Sequence, residues 1–336
     1  MKLMDLQDTP ALVIDNITKE YCQWQRSSKA RDIMKNLIHP EKRVVTALDH
    51  ISLKVNKGEF VAYAGANGAG KSTTIKILSG ILMPTSGTVS VLGFNPAKER
   101  IDLMRHVGVL FGQRTELWWD HPVISSFEWK KEVWDISDSV YKKNLEMVTE
   151  LLDLSDILKT FARELSLGQR MRADIAMLLL HSPELIFLDE PTLGLDVLAK
   201  QQMIRFLKEI NRENKTTVVV TSHDMNDLEE MAQSIVLVNK GKIAFHGSFD
   251  ELRSVMGGFY RIVITTGKED APLSLPGMKL RKTNCGIHEY EFDQNVLEIH
   301  KVLALLSGYP QILDMEIKKA PIEDVVANLY LSWKKN

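Results

Sequence analysis

At 336 residues, 44% of them hydrophobic and 26% charged, the chain has the make-up of a globular protein long enough for two domains. A formal net charge of −2 gives no basic footprint and argues against a nucleic-acid partner. No apolar run approaches the roughly 20 residues that a bilayer-crossing helix needs.

The N-terminus, Met1-Lys2-Leu3-Met4-Asp5, lacks the apolar core of a signal peptide, and the cysteines Cys22 and Cys285 form no C-x-x-C pair. A reducing cytosol is the expected compartment. Val13 to Thr18 reads as a first strand. A stretch from about 22 to 46 reads as an insertion carrying Arg26, Lys29, Arg31, Lys35, Lys42 and Arg43 against Asp32 and Glu41. It has two readings, a solvated helical face or a basic helix against anionic headgroups. Ile51 to Val55 and Phe60 to Ala64 read as strands joined by a hairpin-type turn, Asn56-Lys57-Gly58.

The second of these strands runs into Gly65-Ala66-Asn67-Gly68-Ala69-Gly70-Lys71-Ser72-Thr73, a match to G-x-x-x-x-G-K-[ST], and then into an amphipathic stretch closed by Gly80. Strand, glycine loop and helix together make a phosphate cradle. The glycines turn successive N–H groups inward, and the helix start adds its positive dipole end. Lys71 would sit on the β- and γ-phosphates, and Ser72 would offer its hydroxyl to Mg2+. Val89 to Leu92 reads as a further short strand, and residues 115 to 180 as mostly helical. Leu185-Ile186-Phe187-Leu188-Asp189-Glu190 reads as a buried parallel strand ending in two acids. Asp189 would hold Mg2+, and Glu190 would orient and polarise the attacking water.

Between loop and acids lies Leu165-Ser166-Leu167-Gly168-Gln169-Arg170, which resembles the signature of the ATP-binding cassette (ABC) ATPases. Gln113 resembles that family's Q-loop glutamine, Gly194-Leu195-Asp196 its D-loop, and His223 in Thr221-Ser222-His223-Asp224 its switch histidine. The resemblance covers roughly residues 15 to 250. It implies a P-loop NTPase of α/β class: a RecA-like core, an antiparallel β subdomain and an α-helical subdomain at about 115–180. It also implies ATP and Mg2+ as ligands. The nucleotide would be contacted by Gly65 to Thr73 and by Ser166, Leu167, Gly168, Gln169 and Asp196. Tyr21 would stack on adenine, with Trp24 as the alternative. Glu190, His223, Lys71 and Gln113 would be the catalytic set, and Ser72, Gln113 and Asp189 the Mg2+ ligands. Ala66 departs from the proline of many members.

In that family two cassettes stack head to tail, each nucleotide lying between the Lys71-type loop of one copy and the Ser166-type cap of the other. A homodimer, or a heterodimer with a related ATPase, is therefore implied. Gly168 lets the backbone approach a ligand closely. The segment Phe111 to Asp120 with Leu165 to Arg172 resembles the ATPase subunits of ABC-2-type exporters. This implies an integral-membrane permease partner and a place at the cytoplasmic face of the membrane. Trp118 and Trp119 read either as the docking surface for that permease or as packing within the helical subdomain. A cassette driving membrane signalling without transport is the alternative. A soluble translation or repair ATPase fits less well, because there is one cassette and no sustained heptad pattern.

Ile235 to Val238 and Lys242 to Phe245 read as a hairpin around Asn239-Lys240-Gly241. The cassette is expected to span 1–256. Residues 257–336 are expected to form a small α+β domain, with strands at Tyr260 to Thr265, His288 to Phe292 and Ile312 to Ile317, and helices at Val296 to Leu306 and Ile322 to Tyr330.

Overall fold

The computed structural model describes residues 10–24, 42–112, 114–255, 258–267 and 270–335. The chain opens as a long antiparallel pair, β1 (Pro10–Trp24) and β2 (Lys42–Asn56), with Leu12 opposite Val55 and Trp24 opposite Lys42. β3 (Phe60–Gly65), helix α1 (Lys71–Leu78) and β4 (Ser86–Val91) follow, and β4 returns to pair with β1. Next come α2 (Arg100–Met104) and β5 (Val107–Phe111). A helical arm is built from α3 (Val123–Val133), α4 (Asp138–Leu151) and α5 (Leu167–Leu179). The chain then runs through β6 (Leu185–Asp189), α6 (Val197–Asn214), β7 (Thr217–Thr221), α7 (Met225–Met231), β8 (Ser234–Asn239) and β9 (Lys242–Gly247).

These strands form two sheets, β2-β1-β4 and β5-β6-β7-β3-β8-β9. In the second, β5 pairs with β6, β6 with β7, and β3 with both β7 and β8, all parallel. The segment Asn56-Lys57-Gly58 is not a hairpin turn; it hands the chain from one sheet to the other. The reason lies in the burial pattern. Ile51 to Val55 alternates buried and exposed, as a strand with one wet face must. Phe60 to Ala64 is buried throughout, as a strand covered on both faces must be. β9 does fold back on β8 through Lys240 (φ 48°) and Gly241 (φ 79°), the left-handed pair that a two-residue hairpin requires.

The stretch expected as an insertion begins and ends in sheet, since Cys22 to Trp24 pair with Lys42 to Val44. Its central residues, with Arg26, Lys29, Arg31, Asp32, Lys35 and Glu41, lie outside the described residues. Among the described residues no helix is long and apolar enough to cross a membrane.

The chain divides into two units, Met1–His246 and Gly247–Asn336. The second holds α8 (Phe249–Val255), β10 (Phe259–Thr265), β11 (Lys279–Asn284), β12 (Ile287–Asp293), α9 (Ile299–Leu306), β13 (Asp314–Lys319) and α10 (Ile322–Lys335). Its antiparallel sheet has the order β11-β12-β10-β13, the split β-α-β arrangement in which α9 makes the second crossover. Ile262, Ile264, Tyr290, Phe292, Val302 and Leu306 form its core, closed by Leu273 and Leu275. β11 had no sequence signal, because all six of its residues are exposed and three are cationic.

Candidate functional site

The apolar strand β3 delivers Gly65 to the C-terminal edge of the parallel sheet, where α/β folds hold ligands. Two glycines then bend the loop. Gly68 (φ 78°) needs glycine for its backbone angle alone, since nothing lies within 4 Å of where a Cβ would stand. Gly70 (φ 111°) needs it twice over, because a Cβ would stand 2.6 Å from Leu48 Cδ2 and 2.7 Å from the Ala47 carbonyl. Asn67 and Ala66 are exposed and Ala69 is buried beneath them. α1 starts at Lys71 with no side-chain cap, so no capping side chain occupies the N–H groups of its first turn.

Lys71 is only 8% exposed and donates from Nζ to the carbonyls of Gly65 (2.7 Å) and Ala66 (3.3 Å). Burial holds its pKa below the usual lysine value, against the pull of Glu190 and Asp189, which raise it. The Ser72 hydroxyl donates to Asp189 Oδ2 at 3.1 Å, and the Thr221 hydroxyl donates to Asp189 Oδ1 at 2.6 Å. Glu190 takes a left-handed backbone (φ 56°). Its N–H reaches the Thr221 carbonyl (3.0 Å) and Thr221 Oγ1 (3.1 Å). His223 Nδ1 lies 3.6 Å from Glu190 Oε2, with its ring more than half exposed. Lys71, Ser72, Asp189, Glu190 and His223 thus converge on one sheet edge, from two strand ends and one helix start.

Thr73, next on α1, is half-buried. Thr221 is the member that sequence reading missed. It stands in the quoted Thr-Ser-His-Asp segment, but its role appears only once β6 and β7 are paired, with Asp189 opposite Thr221. Gln113 lies outside the described residues; the chain leaves β5 beside the acids, with the Gly112 N–H donating to the Asp189 carbonyl at 3.0 Å. Ser72 and Asp189 are hard oxygen donors of the kind Mg2+ takes. Together with the glycine cradle and the Lys71 amine they fit a magnesium nucleotide. Among the described residues no group of three or more His, Cys, Asp or Glu could hold a metal ion by itself.

Ser166 caps α5 in a reciprocal box: its Oγ accepts the Gln169 N–H (3.2 Å), and Gln169 Oε1 accepts the Ser166 N–H (2.9 Å). Leu167 and Gly168 form the half-buried first turn. A Cβ on Gly168 would meet only Ala199 Cβ at 3.6 Å and Leu195 Cδ2 at 3.7 Å, ordinary contacts, so no crowding within this chain calls for glycine there. Asp196 is exposed and caps α6 through the Ala199 N–H at 2.9 Å. No hydrogen bond or ion pair among the described residues joins this second group to the first. Tyr21 is half-buried on β1 opposite Val45, with Lys19 Nζ 5.3 Å from its ring centre.

The segment after Gln113 is tied to α5. Asp174 Oδ1 accepts from Thr115 Oγ1 (2.8 Å) and the Glu116 N–H (3.1 Å), and Arg170 stacks on Trp119 at 4.6 Å. Trp118 packs on His121 and Trp129. Both tryptophans nonetheless stay exposed, 39% for Trp118 and 48% for Trp119.

Asp174 itself is 7% exposed, and burial pushes its pKa up to about 6 despite those two hydrogen bonds. A carboxyl whose folded pKa lies above its unfolded value stabilises fully below the unfolded value, and that stability is lost as pH rises through the folded one. At neutral pH the charge therefore costs on the order of 2–3 kcal/mol. Asp174→Asn keeps the acceptor for Thr115 and Glu116. It is expected to raise the melting temperature at pH 7.5 and to lose that advantage near pH 4. Equal effects at both pH values in a calorimetric comparison would contradict this.

Residues 48–193 match the family described as ABC transporter. A putative ABC transporter ATP-binding protein of Clostridium acetobutylicum, CA_C1368, is 32% identical over 208 residues, 61% of this chain and 75% of that one. The bacitracin transport ATP-binding protein BcrA of Bacillus licheniformis is 28% identical over 253 residues, 74% and 78% of the two chains. The ATP-binding cassette MJ0796, solved as a dimer in a post-hydrolysis state with ADP and Pi, superposes with a TM-score of 0.59 at 24% identity, over 70% of this chain and 98% of that one.

Proposed function

The chain belongs to the ABC transporter ATP-binding family, and on that footing we propose that it is the ATPase subunit of an ABC-2-type exporter, working as a dimer against a separate integral-membrane permease. Its fold is that of a P-loop NTPase cassette, ATP hydrolysis is the family's activity, and family members pair and serve membrane permeases.

The observation that carries the reading is the convergence of Lys71, Ser72, Asp189, Glu190 and His223 on one sheet edge. Lys71 would exchange the Gly65 and Ala66 carbonyls for phosphate oxygens, a charge-assisted contact stronger than the one it gives up. Ser72 and Asp189 would hold Mg2+, which when bound supplies Lewis-acid neutralisation of phosphate charge. Glu190 would take the proton of the attacking water, and His223, 3.6 Å from it, would hold that water in line. Thr221 fixes both acids, bonding the carboxylate of Asp189 and the N–H of Glu190. The free N–H groups at the start of α5 would supply the partner copy's share of phosphate binding. Leu167, Gly168, Gln169 and Asp196 would line that face, with Tyr21 against adenine.

For the permease, Trp118 and Trp119 offer exposed aromatic area on a segment bound to α5 through Asp174 and Arg170. Beside it a groove of about 570 Å³ is lined by Ile81, Ile101, Phe111, Val133, Trp134 and Glu116, among others. A short cytoplasmic helix of the permease suits its size and apolar character. Export as the direction, and the cytoplasmic membrane face as the location, rest on the resemblance of the Phe111–Asp120 and Leu165–Arg172 segments to exporter subunits. The test is co-purification from detergent-solubilised membranes followed by transport in sealed vesicles. ATP-dependent efflux with a co-purified polytopic protein is expected. Purification as a soluble particle, or co-purification with ATP turnover but no cargo movement, would overturn the exporter reading.

A further inference from the structure

Lys200 lies on the first turn of α6, four residues beyond Asp196. Its ammonium donates to Asp224 Oδ2 at 2.8 Å and lies 3.0 Å from Asp227 Oδ1. Asp227 is buried, and its Oδ2 accepts the hydroxyl of buried Thr192 at 2.9 Å. Thr192 is two residues after Glu190. Asp224 directly follows His223 and caps α7, its Oδ1 accepting the N–H groups of Asn226 (3.1 Å) and Asp227 (3.2 Å). One ammonium therefore ties together three segments: the turn that carries Glu190, the loop that carries His223, and the start of α6. That start also packs beside the Ser166 cap, since Leu195 and Ala199 are the neighbours of Gly168.

We infer that Lys200 is a positioning residue for hydrolysis, holding the Glu190 turn and the His223 loop in register with the helix that begins at Asp196. This rests on the roles given above to Glu190 and His223. The chemistry favours a lysine or arginine at this point. Asp227 has little access to water, so its charge must be met from within, and removing the cation leaves a buried carboxylate uncompensated. The geometry makes the cost local to catalysis. Among the described residues Lys200 forms no hydrogen bond or ion pair with the phosphate loop, so nucleotide binding is expected to be spared. The His223 ring is mostly exposed, and the segment bearing it is anchored through Asp224 and by the Ser222 hydroxyl, which accepts the Asp224 N–H at 3.0 Å. Loss of the Asp224 anchor frees His223 to drift. Misplacement by about 1 Å costs on the order of 100-fold in rate.

The test compares Lys200→Met, Lys200→Arg and Thr192→Val with the wild type in the full chain. Steady-state ATPase, equilibrium Mg-ATP binding and melting temperature are measured for each, and Glu190→Gln is run alongside. Lys200→Met is expected to lower kcat about 10- to 100-fold with KM and the binding constant for ATP within about twofold, and Lys200→Arg to restore kcat to within about threefold. Thr192→Val, which keeps the shape of the side chain, should lower kcat about three- to tenfold at an unchanged KM. Its result decides the matter if Lys200→Met fails to fold. The inference falls if Lys200→Met turns over normally, if Arg rescues no better than Met, or if the lost activity returns on cooling in step with a lowered melting temperature. Should Glu190→Gln also turn over normally, the assignment of the water-placing pair fails, not the role of Lys200 alone.

Discussion

Glu190→Gln is expected to bind ATP, hold two copies together and turn over about 10²–10⁴-fold more slowly than the wild type. Glutamine keeps the length and shape of the side chain, so the turn that leaves β6, held to Thr221 through its backbone N–H, need not move. Asp189 retains both of its hydroxyl partners, Ser72 and Thr221, and Lys71 retains its carbonyls. What disappears is the carboxylate 3.6 Å from His223 Nδ1, and with it the proton acceptor for water. Binding and hydrolysis should therefore separate. Equilibrium binding of Mg-ATP should stay within about threefold of the wild type, because the lost group acts in the transition state. Light scattering after size exclusion should show a dimer with ATP and a monomer without. Wild-type turnover by this variant would remove Glu190 from its role; tight binding without a dimer would remove the shared-nucleotide arrangement instead.

Lys71→Met is expected to lose affinity at the first step. Methionine fills the buried stem space but has no ammonium, so the charge-assisted bonds to phosphate cannot form. Such bonds contribute about 1.5–3 kcal/mol each, which predicts ATP binding about 10- to 100-fold weaker and no detectable turnover. The two variants should separate cleanly, the first a defect in kcat and the second chiefly in binding. Calorimetric titration of each with Mg-ATP reads the difference. Unchanged affinity in Lys71→Met would mean that the loop N–H groups hold the nucleotide without the cation.

Much of the cassette was legible because its signals are local. The glycines at 68 and 70 mark a bend that favours such residues, a Cβ on Gly65 would stand 2.4 Å from the Val238 carbonyl, and the continuous apolar runs at Phe60–Ala64 and Leu185–Leu188 mark strands covered on both faces. The Ser166 box is written in two residues three apart. What stayed hidden depends on pairing between distant segments. Thr221 gains its role only when β7 lies beside β6. Lys200, Asp227 and Thr192 meet only after three connections have closed. β5 was missed because Gly108 interrupts its apolar run, and the place of that glycine is explained by Leu178: a Cβ there would stand 2.4 Å from Leu178 Cδ2. The turn at Asn56-Lys57-Gly58 carries good hairpin chemistry, yet local chemistry cannot say which sheet the next strand joins.

The left-handed backbone of Glu190 sets the durability of the fold against its chemistry. A non-glycine residue in that conformation costs about 1 kcal/mol, a cost that glycine would escape. The fold therefore carries this acid at a small cost in its own durability, and at this one residue robustness and chemistry pull in opposite directions.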